Sequence, residues 1–537
     1  MNIILLSGGS GKRLWPLSND IRSKQFIKIF EKPIFASTAT DPAASAAVDT
    51  AEPFTEPPAT ASANLSTGSE VEQRGFESVN DSRNGSTDTE IYESMVQRIY
   101  RQIKTVDPDA TVTIATSKSQ VSAIHNQLGE SVNISVEPCR RDTFAAIALA
   151  TAYLHDIQGV DESEAVVVCP VDPYVDEDYF RTLALMCKAA QEGSESLVLM
   201  GIKPTYPSEK YGYIVPNDNG YDFTEKPDAE TAKEYISHHA LWNGGVFAYK
   251  LSYVLNKSAE LLGTSDYNTL FSTYDTLKKI SFDYAVVEAE KSISVITYDG
   301  TWKDLGTWST LTEAMEQNTV GDVRMDETSS NVHAINELGV PILIMGGHDL
   351  VVSASAEGIL VSDKDESSYI KPFVDDIHQQ IMFAEKSWGS YRVLDVENNS
   401  MTVKVTLNPG HRMNYHSHEK RDEVWTVISG SGRTIVDGME QLIKPGDVVT
   451  MASGCRHTVI AGETGLQLIE VQIGESISVD DKKKYEMPPV AATAAASTSP
   501  ASPAINFSSH DGSTDGAANE TANRASASPA TPQARSL

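Results

Sequence analysis

Hydrophobic and polar positions fall into three regimes along the chain. In the first, from residue 1 to 322, short apolar runs alternate with stretches of helical period. Ile3–Leu6, Thr111–Ala115, Ala165–Cys169 and Ser196–Met200 are rich in β-branched and aliphatic residues and predict strands. Ile91, Met95, Ile99 and Ile103 recur every four residues, with Val96 and Tyr100 beside them, and predict an amphipathic helix over 91–104. Residues 143–155 and 178–191 carry further helical patterns. Strands alternating with helices imply an α/β domain with a mostly parallel sheet. The second regime, 323–372, turns to short alternating runs such as Leu350–Ser353 and Gly358–Ser362, a small β-rich connector. In the third, 373–480, everything reads as strands. Val403, Val405 and Leu407 alternate with Thr402, Lys404 and Thr406, and turns such as Ser429–Gly432 and Lys444–Asp447 separate the runs. That pattern predicts a β-barrel or jelly roll.

Two segments belong to none of these. Residues 36–90 interrupt the first regime with Ala, Ser, Thr, Pro and ten acids against two arginines. Residues 481–537 form a tail that is dominated by Ala, Ser, Pro and Thr from 490 onward. Neither can bury enough apolar surface to offset ordering entropy, so both read as disordered. A flexible loop of the first segment's length adds little closure entropy, so the domain can carry it as an insertion.

Composition narrows the function. The 537 residues carry a net charge of −31 with no basic stripe, which argues against nucleic-acid binding. The apolar opening Ile3–Leu6 runs straight into Gly8-Gly9, too short for a signal peptide, and no run approaches the ~18 apolar residues of a membrane span. Four cysteines, Cys139, Cys169, Cys187 and Cys455, have no paired spacing. They fit reduced thiols in a cytoplasmic protein.

The first strand ends in Ser7-Gly8-Gly9-Ser10-Gly11-Lys12-Arg13. A glycine-rich loop at that place lets backbone N–H groups approach phosphate oxygens. It is neither a Walker loop, because no Gly-Lys-Ser/Thr follows, nor a dinucleotide fingerprint, because the third glycine is missing. Lys12, Arg13 and Lys24 put cations beside it in an otherwise acidic protein. Asp172 and Asp304 are candidates to hold one Mg²⁺ against a phosphate. Read singly, Asp172 is a loop carboxylate before Pro173, Asp304 a cap before Gly306, and Lys226 a surface turn before Pro227. Trp302, Trp308, Tyr211 and Tyr213 read as packing residues.

Taken together, Leu6–Leu17 with Ser23-Lys24-Gln25-Phe26 resembles the signature of sugar-1-phosphate nucleotidyltransferases, and more narrowly of mannose-1-phosphate guanylyltransferases. Glu137–Thr143 resembles that family's base-binding segment. Cys169–Asp172 and Trp302–Trp308 resemble its two Asp motifs. Tyr211–Ile214, Glu225-Lys226-Pro227 and Trp242–Gly245 resemble its sugar-binding segments. The resemblance implies a Rossmann-like domain that uses GTP, mannose 1-phosphate and Mg²⁺. It implies catalytic roles for Arg13, Lys24, Asp172 and Asp304, with the two aspartates as Mg²⁺ ligands. It implies nucleotide contacts from Ser7, Gly8, Gly9, Gly11, Lys12, Glu137, Arg141 and Thr143. It implies sugar-phosphate contacts from Gly212, Glu225, Lys226 and Asn243. Two positions depart from the family: Asp142 stands where Asn is usual, and Pro173 where His follows the first Asp. Transfer to another sugar 1-phosphate, such as a heptose, and a non-catalytic nucleotide-binding regulator are the competing readings.

In the third regime, His416 and His418 point to one face of a strand, with Glu423 and His457 following. Two imidazoles, a carboxylate and a distant imidazole suit a divalent transition metal such as Zn, Mn, Fe or Co. Gly410-x₅-His416-x-His418-x₄-Glu423-x₆-Gly430 resembles the first cupin motif, and Gly446, Gly454 and His457 part of the second. The order of domains resembles bifunctional enzymes that end in a type II mannose-6-phosphate isomerase. Arg421, Glu423 and Trp425 agree with that isomerase segment, while Thr458 replaces its usual Arg. Isomerisation at this domain, or a structural or regulatory cupin, are both open. The resemblance implies a short β-helix for the connector. A homo-oligomer is compatible with all of this.

Overall fold

The computed structural model describes residues 1–9, 12–19, 21–32, 92–218, 220–478 and 481–488. Gly11, Ile91, the 36–90 insertion and the chain beyond 490 lie outside the described residues.

The first regime forms one large sheet. Asn2–Ser7 lies in its middle, parallel to Thr111–Ser117 on one side and Ala165–Pro170 on the other. Asn133–Glu137 adds a parallel edge. Leu241–Lys250 pairs antiparallel with Ala165–Pro170 and leads on to Leu197–Ile202 and the Tyr213–Asn217 hairpin. Ile293–Tyr298 closes the sheet, parallel to Leu197–Ile202. The central strands read as continuous apolar runs because both faces are covered. Ile3, Leu5, Val167 and Cys169 face one layer, with helices Met95–Val106 and Glu177–Glu192. Ile4, Val166 and Val168 face the other, with Asp142–Asp156 and Leu251–Leu262. The period of two thus sorts adjacent residues into opposite cores.

The helix predicted over 91–104 runs from Met95 to Val106. Ser94 caps it, its hydroxyl accepting the Gln97 N–H while the Gln97 side chain returns a bond to the Ser94 N–H. Upstream of that box, Tyr92–Glu93 pairs with Phe30–Glu31.

The connector stacks short strands in parallel: Thr319–Val320 on His333–Asn336, that strand on Leu350–Ser355, and Val323–Met325 on Ile342–Ile344. Val332, Ala334, Ile344 and Val352 fill it. Stacked parallel coils of this kind fit the expected β-helix.

In the third regime, Ser400–Leu407 pairs with His457–Ile473, which also pairs with the long strand Asp422–Val436. Val403, Val405, Leu407, Trp425, Val427, Leu466 and Leu468 fill the barrel. One correction concerns the tail. Residues 481–488, assigned from sequence to the disordered segment, pack on the barrel. Lys483–Lys484 pairs with His416–Ser417, and the Tyr485 N–H donates to the Tyr415 carbonyl at 2.9 Å.

Candidate functional site

Strand Asn2–Ser7 delivers the glycine loop to the end of the sheet. Gly9 has φ 107°, a left-handed conformation that glycine adopts without strain. Its carbonyl accepts the Ser23 hydroxyl at 2.9 Å and Gln120 Nε2 at 3.2 Å. Those bonds anchor the turn Lys24–Phe26 beneath the loop.

The two aspartates are brought together by a ribbon. Pro173–Val175 pairs antiparallel with Trp302–Asp304, and Asp304 sits opposite Pro173, next to Asp172. Lys24 Nζ lies 3.3 Å from Asp172 Oδ2 and 3.6 Å from Asp304 Oδ1. Dehydration pushes the Asp172 pKa up; Lys24 opposes the shift and the Asp304 charge adds to it. The other Asp172 oxygen, Oδ1, is buried with no hydrogen-bond partner. A carboxylate lone pair left open beside a second carboxylate suits a hard cation.

Other predicted residues are placed differently. Lys12 reaches across to Asp375 at 3.6 Å, and Arg13 is exposed at the loop. Glu137 accepts the Tyr274 hydroxyl at 2.8 Å, and burial raises its pKa. Arg141 turns away and donates to the Asp275 carbonyl. The Thr143 hydroxyl accepts the Phe282 N–H at 2.8 Å, so it is spent inside the fold. Arg140, not singled out from sequence, faces the loop instead, with Nη2 3.5 Å from the Gly9 carbonyl.

The sugar-segment residues do converge. A Cβ at Gly212 would press on the Glu225 carboxylate and the Phe223 ring, so the glycine lets that carboxylate sit close to the strand. Lys226 Nζ pairs with Glu225 Oε1 at 2.6 Å. The Asn243 N–H donates to the Gly212 carbonyl at 2.8 Å, and its side-chain oxygen accepts the Gly245 N–H at 3.1 Å. Asn243 Nδ2 donates to Asp283 Oδ1 at 2.6 Å. Sequence reasoning missed Asp283. Its signal was an acid between Phe282 and Tyr284 in an apolar stretch. Burial, then the Glu225 charge, pushes its pKa up to about 6. Tyr211, Trp242 and Trp302 wall the neighbourhood, with ring centroids 5.0–6.3 Å apart. Trp308 and Tyr213 are fully buried packing residues.

In the barrel, His416 stands directly opposite His457 across a strand pair. His416, His418 and His457 bring their ligand atoms within 4.8 Å of one another. Each ring directs Nδ1 at a backbone carbonyl: Asn414 at 2.6 Å, Asp481 at 2.8 Å and Cys455 at 3.1 Å. That fixes the tautomer and turns the Nε2 lone pairs inward. Glu423 lies 3.2 Å from both His418 Nε2 and His457 Nε2. Glu423 Oε2 and His457 Nε2 are buried without a hydrogen-bond partner. Burial depresses His416 to about 2 and His418 to about 4, so both rings are neutral. Neutral inward imidazoles, an orphaned nitrogen and an orphaned carboxylate oxygen fit a transition metal.

The pocket holds further polar groups: Arg421, which agrees with the isomerase segment, and Glu470 and Gln472, which sequence reasoning missed. Arg421 Nη2 contacts His418 Nε2, and Arg421 Nε donates to Glu423 Oε1, both at 3.0 Å. Glu470 and Gln472 continue the inward face of the strand that carries Leu466 and Leu468, and the Gln472 amide donates to the Glu470 carboxylate. Burial, then the Glu423 charge, raises the Glu470 pKa.

Among the described residues, no helix is long and apolar enough to cross a membrane. The nucleotidyl transferase family profile matches residues 2–68 and 89–320, and the mannose-6-phosphate isomerase C-terminal profile matches 374–487. The mannose-1-phosphate guanylyltransferase of Escherichia coli K12 is 26% identical over 435 residues, covering 73% of this chain and 91% of the relative. ManC of Salmonella typhimurium, also a mannose-1-phosphate guanylyltransferase, is 28% identical over 67% of this chain and 83% of its own length. The alginate biosynthesis protein AlgA of Pseudomonas putida is 25% identical over 90% of this chain and 95% of its own. A crystal structure from Thermus thermophilus, described as a mannose-1-phosphate geranyltransferase, shares the fold. It has a TM-score of 0.50 and 24% identity, covering 70% of this chain and 98% of that one. With more than half its length matched by one profile, and the loop, paired aspartates and sheet in place, the chain belongs to the nucleotidyl transferase family.

Proposed function

We propose that the protein is a mannose-1-phosphate guanylyltransferase, which joins GTP and α-D-mannose 1-phosphate to give GDP-mannose and diphosphate. One observation carries the reading: Lys24 bridges Asp172 and Asp304 beside the glycine loop, in a chain similar to guanylyltransferases over most of its length.

The chemistry follows from charge. A sugar-phosphate oxygen attacks the α-phosphorus, and diphosphate leaves as the α–β bond breaks. The attacking oxygen is already anionic, so positioning and cations do most of the catalysis. Asp172 and Asp304 would hold Mg²⁺, which when bound supplies Lewis-acid stabilisation of the phosphate. Lys24 and Arg13 spread the charge that develops toward the leaving diphosphate. Gly8 and Gly9 leave room for backbone N–H groups to approach the phosphates. Lys226 meets the sugar phosphate, and Glu225, Asn243 and Asp283 take sugar hydroxyls. Glu137 and Arg140 flank the base.

A second reading concerns the barrel. The interior carboxylate Glu470 beside a metal-competent His/Glu set favours isomerisation of mannose 6-phosphate and fructose 6-phosphate there. His416, His418, Glu423 and His457 would hold the metal, which when bound would supply Lewis-acid polarisation of a carbonyl. In this reading Glu470 would carry the proton between C1 and C2.

The first test incubates the protein with Mg²⁺, mannose 1-phosphate and each of the four nucleoside triphosphates, following diphosphate release. Release with GTP alone is expected. Release with another triphosphate overturns the base assignment, and release with none overturns the sugar or the activity. Fructose 6-phosphate formation from mannose 6-phosphate tests the second reading separately.

A further inference from the structure

Asn19 and Arg22 lie just before Ser23 and Lys24, yet their side chains are bonded to residues more than three hundred positions away. Asn19 Oδ1 accepts the N–H groups of Ile21 at 2.8 Å and Arg22 at 2.6 Å, holding the turn at Ile21 and Arg22. Asn19 Nδ2 donates to Glu357 Oε1 at 2.8 Å and to the Phe383 carbonyl at 3.0 Å. Glu357 is buried. The same Oε1 accepts the N–H groups of Met382 at 3.0 Å and Phe383 at 3.1 Å, and Oε2 accepts Gln379 Nε2 at 3.3 Å. One connector carboxylate therefore ties the turn before Lys24 to the first strand of the barrel, Phe383–Lys386.

Other bonds reinforce the grip. Arg22 makes a two-point pair with Glu337 of the connector, at 2.7 and 2.8 Å, and its guanidinium lies 5.3 Å from the Phe383 ring centroid. The Ser355 hydroxyl donates to the Pro16 carbonyl at 2.6 Å. On the opposite side, Gln120 Nε2 donates to the Ser23 hydroxyl at 2.7 Å. Lys24 is thus suspended between two sets of fixed bonds, one from the sheet and one from the connector and barrel. Neither Asn19 nor Glu357 has a hydrogen bond or ion pair with Lys24, Asp172 or Asp304.

We infer that Asn19 and Glu357 are positioning residues for nucleotidyl transfer: their clasp sets where the Lys24 ammonium stands between Asp172 and Asp304. The inference rests on the activity proposed above. Its logic is that a displacement of about 1 Å in a reacting group costs up to ~100-fold in rate, and the clasp ends only two residues from Ser23-Lys24. It also assigns the barrel a role in the first reaction that requires no chemistry of its own.

The decisive variant is Asn19→Asp. It keeps the oxygen that holds the turn but replaces the donor with a carboxylate facing buried Glu357. The expected result is a fall in kcat of ~10- to 100-fold, with KM for the sugar phosphate and the barrel's metal content close to wild type. Glu357→Gln keeps an amide oxygen that accepts from Asn19, Met382 and Phe383, and is expected to keep most of the kcat, whereas Glu357→Ala loses it. Wild-type kcat in Asn19→Asp, or equal loss in Glu357→Gln and Glu357→Ala, overturns the clasp. Should Asn19→Asp fail to fold, Arg22→Lys reads the same point: loss of the guanidinium fork lowers kcat and leaves KM, and an unchanged kcat refutes the inference. A wild-type chain that releases no diphosphate refutes the activity instead. The clasp is then read from hydrogen exchange of the Arg22–Phe26 amides. Protection lost in Asn19→Asp and kept in Glu357→Gln supports it, and unchanged protection in Asn19→Asp overturns it.

Discussion

The two candidate sites use carboxylates in opposite ways. Asp172 and Asp304 stand on the ends of a short ribbon, their side chains 36% and 44% exposed, with a lysine holding the gap between them. In the barrel, the side chains of His418, Glu423 and His457 are each about 3% exposed. Every imidazole there is locked through Nδ1 onto a backbone carbonyl. The first site offers two oxygen ligands from the protein and leaves the remainder to substrate phosphates and water, the habit of Mg²⁺. The second gathers three imidazoles and a carboxylate in a dehydrated pocket before any substrate arrives, with Arg421 bonded to His418 and Glu423, and this donor set is the habit of a resident transition metal. On this reading the first cation travels with the nucleotide and the second belongs to the fold.

That contrast breaks most sharply at the ribbon. Asp304→Ala or Asp172→Ala is expected to cut diphosphate release at least ~100-fold, the scale of losing one charge-stabilising group, while leaving barrel metal and melting temperature near wild type. Near-normal turnover in both would take them out of the cation site. The reciprocal variant, His418→Ala, is expected to lose the transition metal, measured by elemental analysis, and to lower the melting temperature, because a ligand that binds only the folded state stabilises it. Guanylyl transfer should stay within about twofold of wild type, since the clasp leaves His418 untouched. Full metal retention would reject the ligand set, and loss of both activities would reject the independence of the sites.

The fold was legible where burial imposes a period. Ile3–Leu6 and Ala165–Cys169 are buried on both faces and read as unbroken apolar runs, and Val403, Val405 and Leu407 alternate because one face lines the barrel. The paired aspartates were singled out by the resemblance of Cys169–Asp172 and Trp302–Trp308 to two family motifs, and the histidines by their strand spacing and the cupin-like pattern. What stayed hidden depends on contacts between distant segments. Asp283 acquires its role from Asn243, forty residues earlier. Glu357 looks like any acid in a turn until the chain brings Asn19 and Met382 to it. Residues 481–488 were assigned to the tail because composition averages over the few that pair with His416–Ser417. Asp142 is compatible with the backbone where Asn is usual: its φ is 68°, in the left-handed region that Asn and Asp populate more readily than other residues. The exchange satisfies the turn. Arg141, next to it, is bonded to the Asp275 carbonyl and does not face the loop.

Asp283 gives a milder test within the first site. Asp283→Asn keeps an acceptor toward Asn243 but removes the charge, and is expected to raise KM for the sugar phosphate ~10-fold, the scale of a hydrogen bond to a charged group. Equal loss in KM and kcat would point to a misfolded pocket instead.

The smallest effect expected is a pH dependence of the same parameter. Burial and the neighbouring Glu225 charge place the Asp283 pKa near 6, above the ordinary aspartate range. The ionised form accepts sugar hydroxyls, so KM should be flat above pH 7 and rise a few-fold as pH falls through about 6. Linkage gives the opposite sign for stability. A carboxyl whose pKa is raised by folding binds its proton more tightly in the folded state. Its contribution is therefore fully present below the unfolded value and is lost as pH rises through about 6. Binding and stability thus move in opposite directions across one titration, and Asp283→Asn should flatten both. A KM slope that survives in Asp283→Asn would assign the titration to another group. The ribbon aspartates would then be the next to test, since Asp172 is also shifted upward, and a slope in kcat rather than KM would identify them.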